Sequence, residues 1–110
     1  VINYTEMASA VVLSATPASC YTAPNATMAA IHACTATNPT GAAVTVNVYR
    51  VTAGASMSTP CRIASRTIPA GQTLSLIDAI NHKLAPGSQL FADGAGCGLN
   101  VSGVEYLPSN

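Results

Sequence analysis

Three consecutive stretches decide the fold: Met28-Ala29-Ala30-Ile31-His32-Ala33-Cys34-Thr35-Ala36-Thr37, Asn38-Pro39-Thr40-Gly41, and Ala43-Val44-Thr45-Val46-Asn47-Val48-Tyr49-Arg50-Val51-Thr52. The third alternates, with Val44, Val46 and Val48 on one side of an extended chain and Thr45, Asn47 and Tyr49 on the other. A period of two carried by β-branched residues is the pattern of a strand half buried on a sheet. In the first stretch Ala29, Ile31, Ala33 and Thr35 share one face, and Met28, Ala30, His32 and Cys34 share the other. Both faces are small or apolar, which predicts a strand covered on both sides. Pro39 presets φ and Gly41 supplies a permissive position, so the segment between the strands reads as a turn. The expectation is a β-hairpin of Met28–Thr37 with Ala43–Thr52.

The same period runs outward in both directions. Ala10-Val11-Val12-Leu13 predicts a first short strand, preceded by an irregular arm over residues 1–8. Pro17, Pro24 and Asn25 mark a loop with room for a short strand around Cys20 and Tyr21. Residues 53–60 form a loop of small residues, and 61–68 a strand with Arg62 and Arg66 on one face and Ile63, Ser65 and Thr67 on the other. Pro69-Ala70-Gly71-Gln72 turns the chain into a strand over 73–77, with Leu74 and Leu76 inward. Leu76, Ile77, Ile80 and Leu84 then recur at helical intervals and predict one short helical segment over 77–84, ended by Ala85-Pro86-Gly87. A short strand over 88–92, a hairpin loop over 93–96 and a last strand over 99–107 follow, with Pro108-Ser109-Asn110 as a tail. Seven or eight strands separated by turn signals predict an all-β chain. The architecture is an antiparallel β-sandwich or jelly-roll forming one domain over residues 1–110.

Composition narrows what such a domain does. Hydrophobic residues are 49% of the chain, but there is one Phe, four Tyr and no Trp, so the core is thin and filled by Val, Ile and Leu. Charged residues are 7%, against about 25% in an average soluble protein, and four acids balance four bases. A surface this neutral neither repels copies of itself nor attracts nucleic acid or an anionic membrane. No apolar run approaches the roughly 20 residues needed to span a bilayer as a helix. Residues 8–13 lack the basic flank of a signal peptide and read as a strand. Val1 in place of Met suggests removal of an initiator Met or an upstream segment. Three matches to the glycosylation sequon, at Asn3, Asn25 and Asn100, are what a Thr- and Asn-rich chain produces by chance.

The inventory for catalysis is short. Asp78 and His82 lie four apart in the helical segment and read as a surface or capping pair, with no third ligand or nucleophile spaced to join them. His32 and Cys34, two apart on a strand, sit about 7 Å apart, too far for the imidazole to activate the thiol. The glycine-rich run Asp93-Gly94-Ala95-Gly96-Cys97-Gly98 lacks the downstream helix of a phosphate cradle. Cys20, Cys34, Cys61 and Cys97 contain no C-x-x-C pair, which disfavours a zinc ribbon or redox motif. Buried free thiols and disulfides both remain open. The expectation is no catalytic residue, no cofactor and no metal. Tyr49, Arg62, Arg66 and Tyr106, read as outward, are the candidate interface residues, with Glu105 a candidate partner for the arginines.

The run from Ile31 to Val46 with Asn38-Pro39-Thr40-Gly41 at its turn resembles one found in small tailed-bacteriophage virion proteins. So do Ile68-Pro69-Ala70-Gly71-Gln72-Thr73-Leu74, Ile80-Asn81-His82-Lys83-Leu84-Ala85-Pro86-Gly87 and Val101-Ser102-Gly103-Val104-Glu105, in the same order over roughly residues 28 to 106. The resemblance implies a non-enzymatic virion component assembled in the host cytoplasm. Foremost it implies a capsid decoration (cement) protein bound outside the shell, with the major capsid protein or other virion proteins as partners. It also implies a homo-oligomer, a trimer first; the sparse charge adds the expectation that neither nucleic acid nor membrane is a partner. A head fibre, a neck or collar component, a tail-associated β-sandwich and a surface-displayed binding module are the alternatives.

Overall fold

The computed structural model describes residues 2–107; Val1 of the expected arm and the tail Pro108-Ser109-Asn110 lie outside the described residues. Nine strands form two antiparallel sheets: β1 Ile2–Val12, β2 Ala18–Thr22, β3 Met28–Thr37, β4 Val44–Val51, β5 Arg62–Ile68, β6 Thr73–Ser75, β7 Lys83–Leu84, β8 Gln89–Asp93 and β9 Gly98–Tyr106. Sheet A has the order β1-β9-β3-β6, with β7 also on β3, and sheet B the order β2-β8-β4-β5. Since β6 and β7 pair with different stretches of β3, they share one position, and eight positions in two four-stranded layers make a jelly-roll. The expected all-β sandwich is what the chain forms.

Connectivity departs from the expectation. Met28–Thr37 is a strand with the expected bounds, but it does not pair with β4: β3 lies between β9 and β6 in sheet A, and β4 between β8 and β5 in sheet B. The turn 38–41 is therefore an arch from one layer to the other, because the buried faces of the two strands cover each other better across the core than side by side. The glycine-rich loop after β8 is likewise an arch into β9, not a hairpin. Among the described residues only β4 and β5 are both consecutive and paired with each other.

Asn38 holds two arches together. It is fully buried, and its amide donates to the carbonyls of Ala42 and Ile68, both at 2.8 Å. Its Oδ1 accepts from the backbone and hydroxyl of Thr40. Its backbone N–H donates to Gln72 and its carbonyl accepts from Gly71. Every polar group of a buried residue is thus satisfied, and the ends of β3, β4, β5 and β6 are tied to one residue.

Bulges account for the other departures. β1 begins at Ile2, so the expected irregular arm is strand, interrupted by register shifts at Glu6/Ala8 and Ala8/Val11. The second shift holds Ala10 at φ 50, its N–H donating to Asn100 Oδ1. In β3 a shift between Ile31 and Ala33 makes His32 an extra residue. The buried set runs Ala29 and Ile31, then Cys34 and Ala36, so one face of β3 is covered, not two. The expected helix over 77–84 reduces to a single 3-10 turn, Ile77–Ala79. Beyond it Asn81 takes a φ of 72, its N–H goes to Ile31, and the His82 carbonyl accepts from Ile31. The bulged strand captures backbone groups that a helix would have used internally.

The core lies between the layers, with Ile31, Leu84 and Leu99 from sheet A against Val46, Val48, Ile68 and Leu90 from sheet B. At β9 the packing is tightest: a Cβ on Gly103 would lie 2.0 Å from the Ala30 carbonyl oxygen and 3.0 Å from Met7 Cε. Only a residue without a side chain fits between the bulges of β1 and β3.

Candidate interaction surface

Directly paired residues of antiparallel strands share a face. The row Asn3, Glu105, Ala29 and Leu84 points inward, since Ala29 and Leu84 are buried. The neighbouring rows therefore stand on the outer face of sheet A: Ile2, Tyr106 and Met28 in one, and Tyr4, Val104, Ala30 and Lys83 in the next. Ile2 is 60% exposed, Tyr4 84%, Tyr106 46% and Met28 42%. Four large apolar or aromatic side chains on one sheet end, without a covering element, form the main apolar patch among the described residues. Contiguous patches of this kind mark interaction sites. Glu6 stands on the β1 flank and Lys83 on the β7 flank, both exposed. Between the bulges a groove of about 290 Å³ opens beside Tyr4, lined also by Thr5, Glu6, His32, Ser102 and Gly103.

The outer face of sheet B is closed over by its own bonds. Thr45 and Thr67 share a hydroxyl hydrogen bond of 2.9 Å. Tyr49 donates to Asp93 Oδ2 at 2.9 Å, and the Asn47 amide donates to Oδ1 at 3.0 Å. The 3-10 turn Thr59–Cys61 packs against β4. Tyr49 points outward as its spacing implies, yet it is only 8% exposed. Burial, then the bond to Asp93, raises its phenol above the ordinary range. Its hydroxyl is committed within the fold.

The two arginines part company. Register pairs Arg66 with Val46 and Arg62 with Tyr49, with Ile63 as an extra residue between. Arg62 therefore stands on the outer face, and Arg66 on the inward face at the open edge, where it lines a crevice with Leu76, Ile77 and Asp78. A period of two cannot reveal a bulge, so the spacing 62/66 misplaced one of them. Glu105 serves neither. It is inward and accepts from the Tyr21 hydroxyl across the sandwich, and burial with this carboxylate drives the Tyr21 phenol far upward. Of the four candidate interface residues, only Tyr106 joins the apolar patch. Ile2, Tyr4 and Met28 were missed, because the arm was read as irregular and Met28 as covered. The signal present was the alternation Ile2, Tyr4, Glu6 against Asn3, Thr5.

His32 is exposed on its bulge while Cys34 is buried, so the bulge separates that pair more than their spacing suggests. All four thiols are free. Burial, and then Cys20, push the Cys34 thiol up to about 12, whereas hydrogen bonds from Ser58 hold the Cys61 thiol below its ordinary range. Among the described residues no three His, Cys, Asp or Glu side chains cluster as metal ligands, and no helix is long and apolar enough to cross a membrane.

No protein-family model matches the chain, and no curated protein matches it. Among solved structures, a chain of the Bacillus endospore appendages, described as a novel family of disulfide-linked pili, superposes with a TM-score of 0.57 at 15% identity. That superposition covers 98% of this chain and 89% of the other. A chain of infectious bursal disease virus, Gx strain, matches at a TM-score of 0.42 and 10% identity, over 99% of this chain and 32% of its own length. The fold is thus one that this chain shares nearly end to end with a Bacillus endospore appendage.

Proposed function

We propose that this chain is a structural, non-catalytic virion subunit, a decoration protein that binds the outside of a capsid shell and stabilises it. The observation that carries the reading is the uncovered apolar end of sheet A on a chain with only 7% charged residues. An isolated soluble domain gains nothing from leaving Ile2, Tyr4, Met28 and Tyr106 in water, whereas a subunit docked among others buries them. The jelly-roll fold and the ordered motifs from Ile31 to Glu105 support the same reading. The partners are the major capsid protein or other virion proteins, with further copies of this chain, and the location is the virion. Repetition makes weak single contacts collectively strong on a many-copy shell. Titrating purified protein onto bare shells tests the proposal: saturation at a fixed ratio, with shells more resistant to heat, is expected. Shells left bare at tens of micromolar overturn it.

A second reading, a subunit of a self-assembled filament, is favoured by the whole-chain superposition on an endospore appendage. Electron microscopy of the concentrated protein separates the two. Filaments that dissolve in reductant support the second reading, and discrete particles support the first.

A further inference from the structure

We propose that the outer face of sheet A is a two-fold interface between two copies of this chain, each seating its Tyr4 in the bulge groove of the other. The inference rests on the assembly reading above and specifies which surface the copies share.

The face is self-complementary in shape. Tyr4 projects from it at 84% exposure, and the groove between the bulges opens directly beside it. An interface between identical surfaces requires that residue i meet j while j meets i, which a knob and a hole side by side provide. The Glu6 carboxylate on the groove wall is an acceptor for the hydroxyl of an entering phenol.

Charge does not oppose the pairing. Glu6 lies on β1 and Lys83 on β7, three strand positions apart across β9 and β3, or about 14 Å. An axis that seats each Tyr4 in the partner's groove runs beside β1 and β9, so the two Lys83 flanks stay clear of the contact. The strip between the flanks is uncharged, carrying Val104 and Ala30. The area suffices: covering Ile2, Tyr4, Met28 and Tyr106 removes on the order of 500 Å² per copy, the apolar centre of a standard interface of roughly 800 Å² per partner. The geometry gives a dimer, in place of the trimer that the motif resemblance implies.

Sedimentation equilibrium of the full chain from micromolar to millimolar concentration tests this. The expected result is a monomer–dimer equilibrium. Tyr4→Asp should raise the dimer Kd by about 30-fold or more, as for loss of an interface anchor, with the urea midpoint of dilute, monomeric protein unchanged. Thr45→Asp, on the outer face of sheet B, should leave the Kd within about threefold, as surface changes away from a contact do. Glu6→Lys should weaken the dimer, since it removes the acceptor that the entering phenol meets. A monomer throughout, a trimer, or a dimer indifferent to Tyr4→Asp overturns the proposal. A monomer that still saturates shells sinks the pairing and leaves the decoration reading standing. A dimer that depends on Tyr4 and leaves shells bare does the reverse.

Discussion

On the outer face of sheet B, Tyr49 gives its hydroxyl to Asp93, Asn47 joins the same carboxylate, and Thr45 and Thr67 bond to each other. On the outer face of sheet A, Ile2, Tyr106 and Met28 stand in a row with Tyr4 beside them, all exposed. Both sheets cover one core, and both carry Tyr on the side away from it. The difference lies in what surrounds the ring. Tyr49 has an acceptor within reach and a loop packed on its strand, so its contribution is to the monomer. Tyr4 shares its groove with Glu6 and His32, yet it stands 84% exposed with no element over its ring, so burying it requires another molecule. Outward position alone says nothing about availability, and whether the sheet's own groups close over the ring decides it.

The contrast is broken most severely by destroying the sheet that carries the bare face. Gly103→Ala drives a methyl group into the Ala30 carbonyl, where backbone must move. We expect a loss of about 3 kcal/mol or more, or no folded protein, in urea denaturation. Next comes the tie between the sheets. Asn38→Ala strands the carbonyls of Ala42 and Ile68 and the Thr40 N–H, and should cost about 2–4 kcal/mol, whereas Asn38→Asp should recover little because it lacks the two donors.

The comparison is sharpened by making the same change on both faces. Tyr49→Phe removes a hydroxyl bonded to a carboxylate and should cost about 1.5–3 kcal/mol. Tyr4→Phe should fall within about 0.5 kcal/mol of the parent, measured on dilute protein. The alkaline limb sharpens it further. Tyr21 and Tyr49 have phenols raised by the fold, so each binds its proton more tightly folded than unfolded. Their stabilisation is complete below about pH 10, the ordinary phenol value, and is lost as pH rises through the folded values. Denaturation from pH 8 to 11.5 should show a decline that begins near the ordinary thiol value, about 8.5, as the buried Cys34 titrates in the unfolded chain, and steepens above 10; the steepening should be lost in the Tyr21→Phe, Tyr49→Phe double variant. The smallest effect is at the β1 edge: Ala10 sits at φ 50, and Ala10→Gly should add about 0.5–1 kcal/mol by relieving the left-handed strain.

How far the residues alone revealed this arrangement varied with the kind of order involved. The bounds of β3 and the inward set Val44, Val46 and Val48 follow from side-chain alternation, which is local. Asn38-Pro39-Thr40-Gly41 announced a reversal correctly. It did not say whether the strands would lie in one sheet or face each other, because that depends on β8 and β9, about 50 residues downstream. The bulges at Met7, His32 and Ile63 add one residue each and invert the face of all that follows. They misplaced Arg62 relative to Arg66 and hid the exposure of Met28. The helix over 77–84 failed for a related reason: the spacing of Leu76, Ile80 and Leu84 is genuine, but the unpaired backbone of the bulged Ile31 recruits Asn81 and His82. Within the interface set, Tyr106 was legible as outward. Tyr4 was not, since seeing it required that β9 come back to pair with β1.

That return has a consequence for how the molecule is made. The first described strand is hydrogen-bonded to the last, Ile2 opposite Tyr106 and Val12 opposite Gly98, and β3 also waits for β9. On a ribosome adding roughly 5–20 residues per second, Ile2 to Val12 spends several seconds with neither edge occupied. The scarcity of repelling charge, harmless in the finished jelly-roll, leaves nascent chains without a means of keeping one another apart during that wait, so yield in the cell should depend on how fast the final strand emerges.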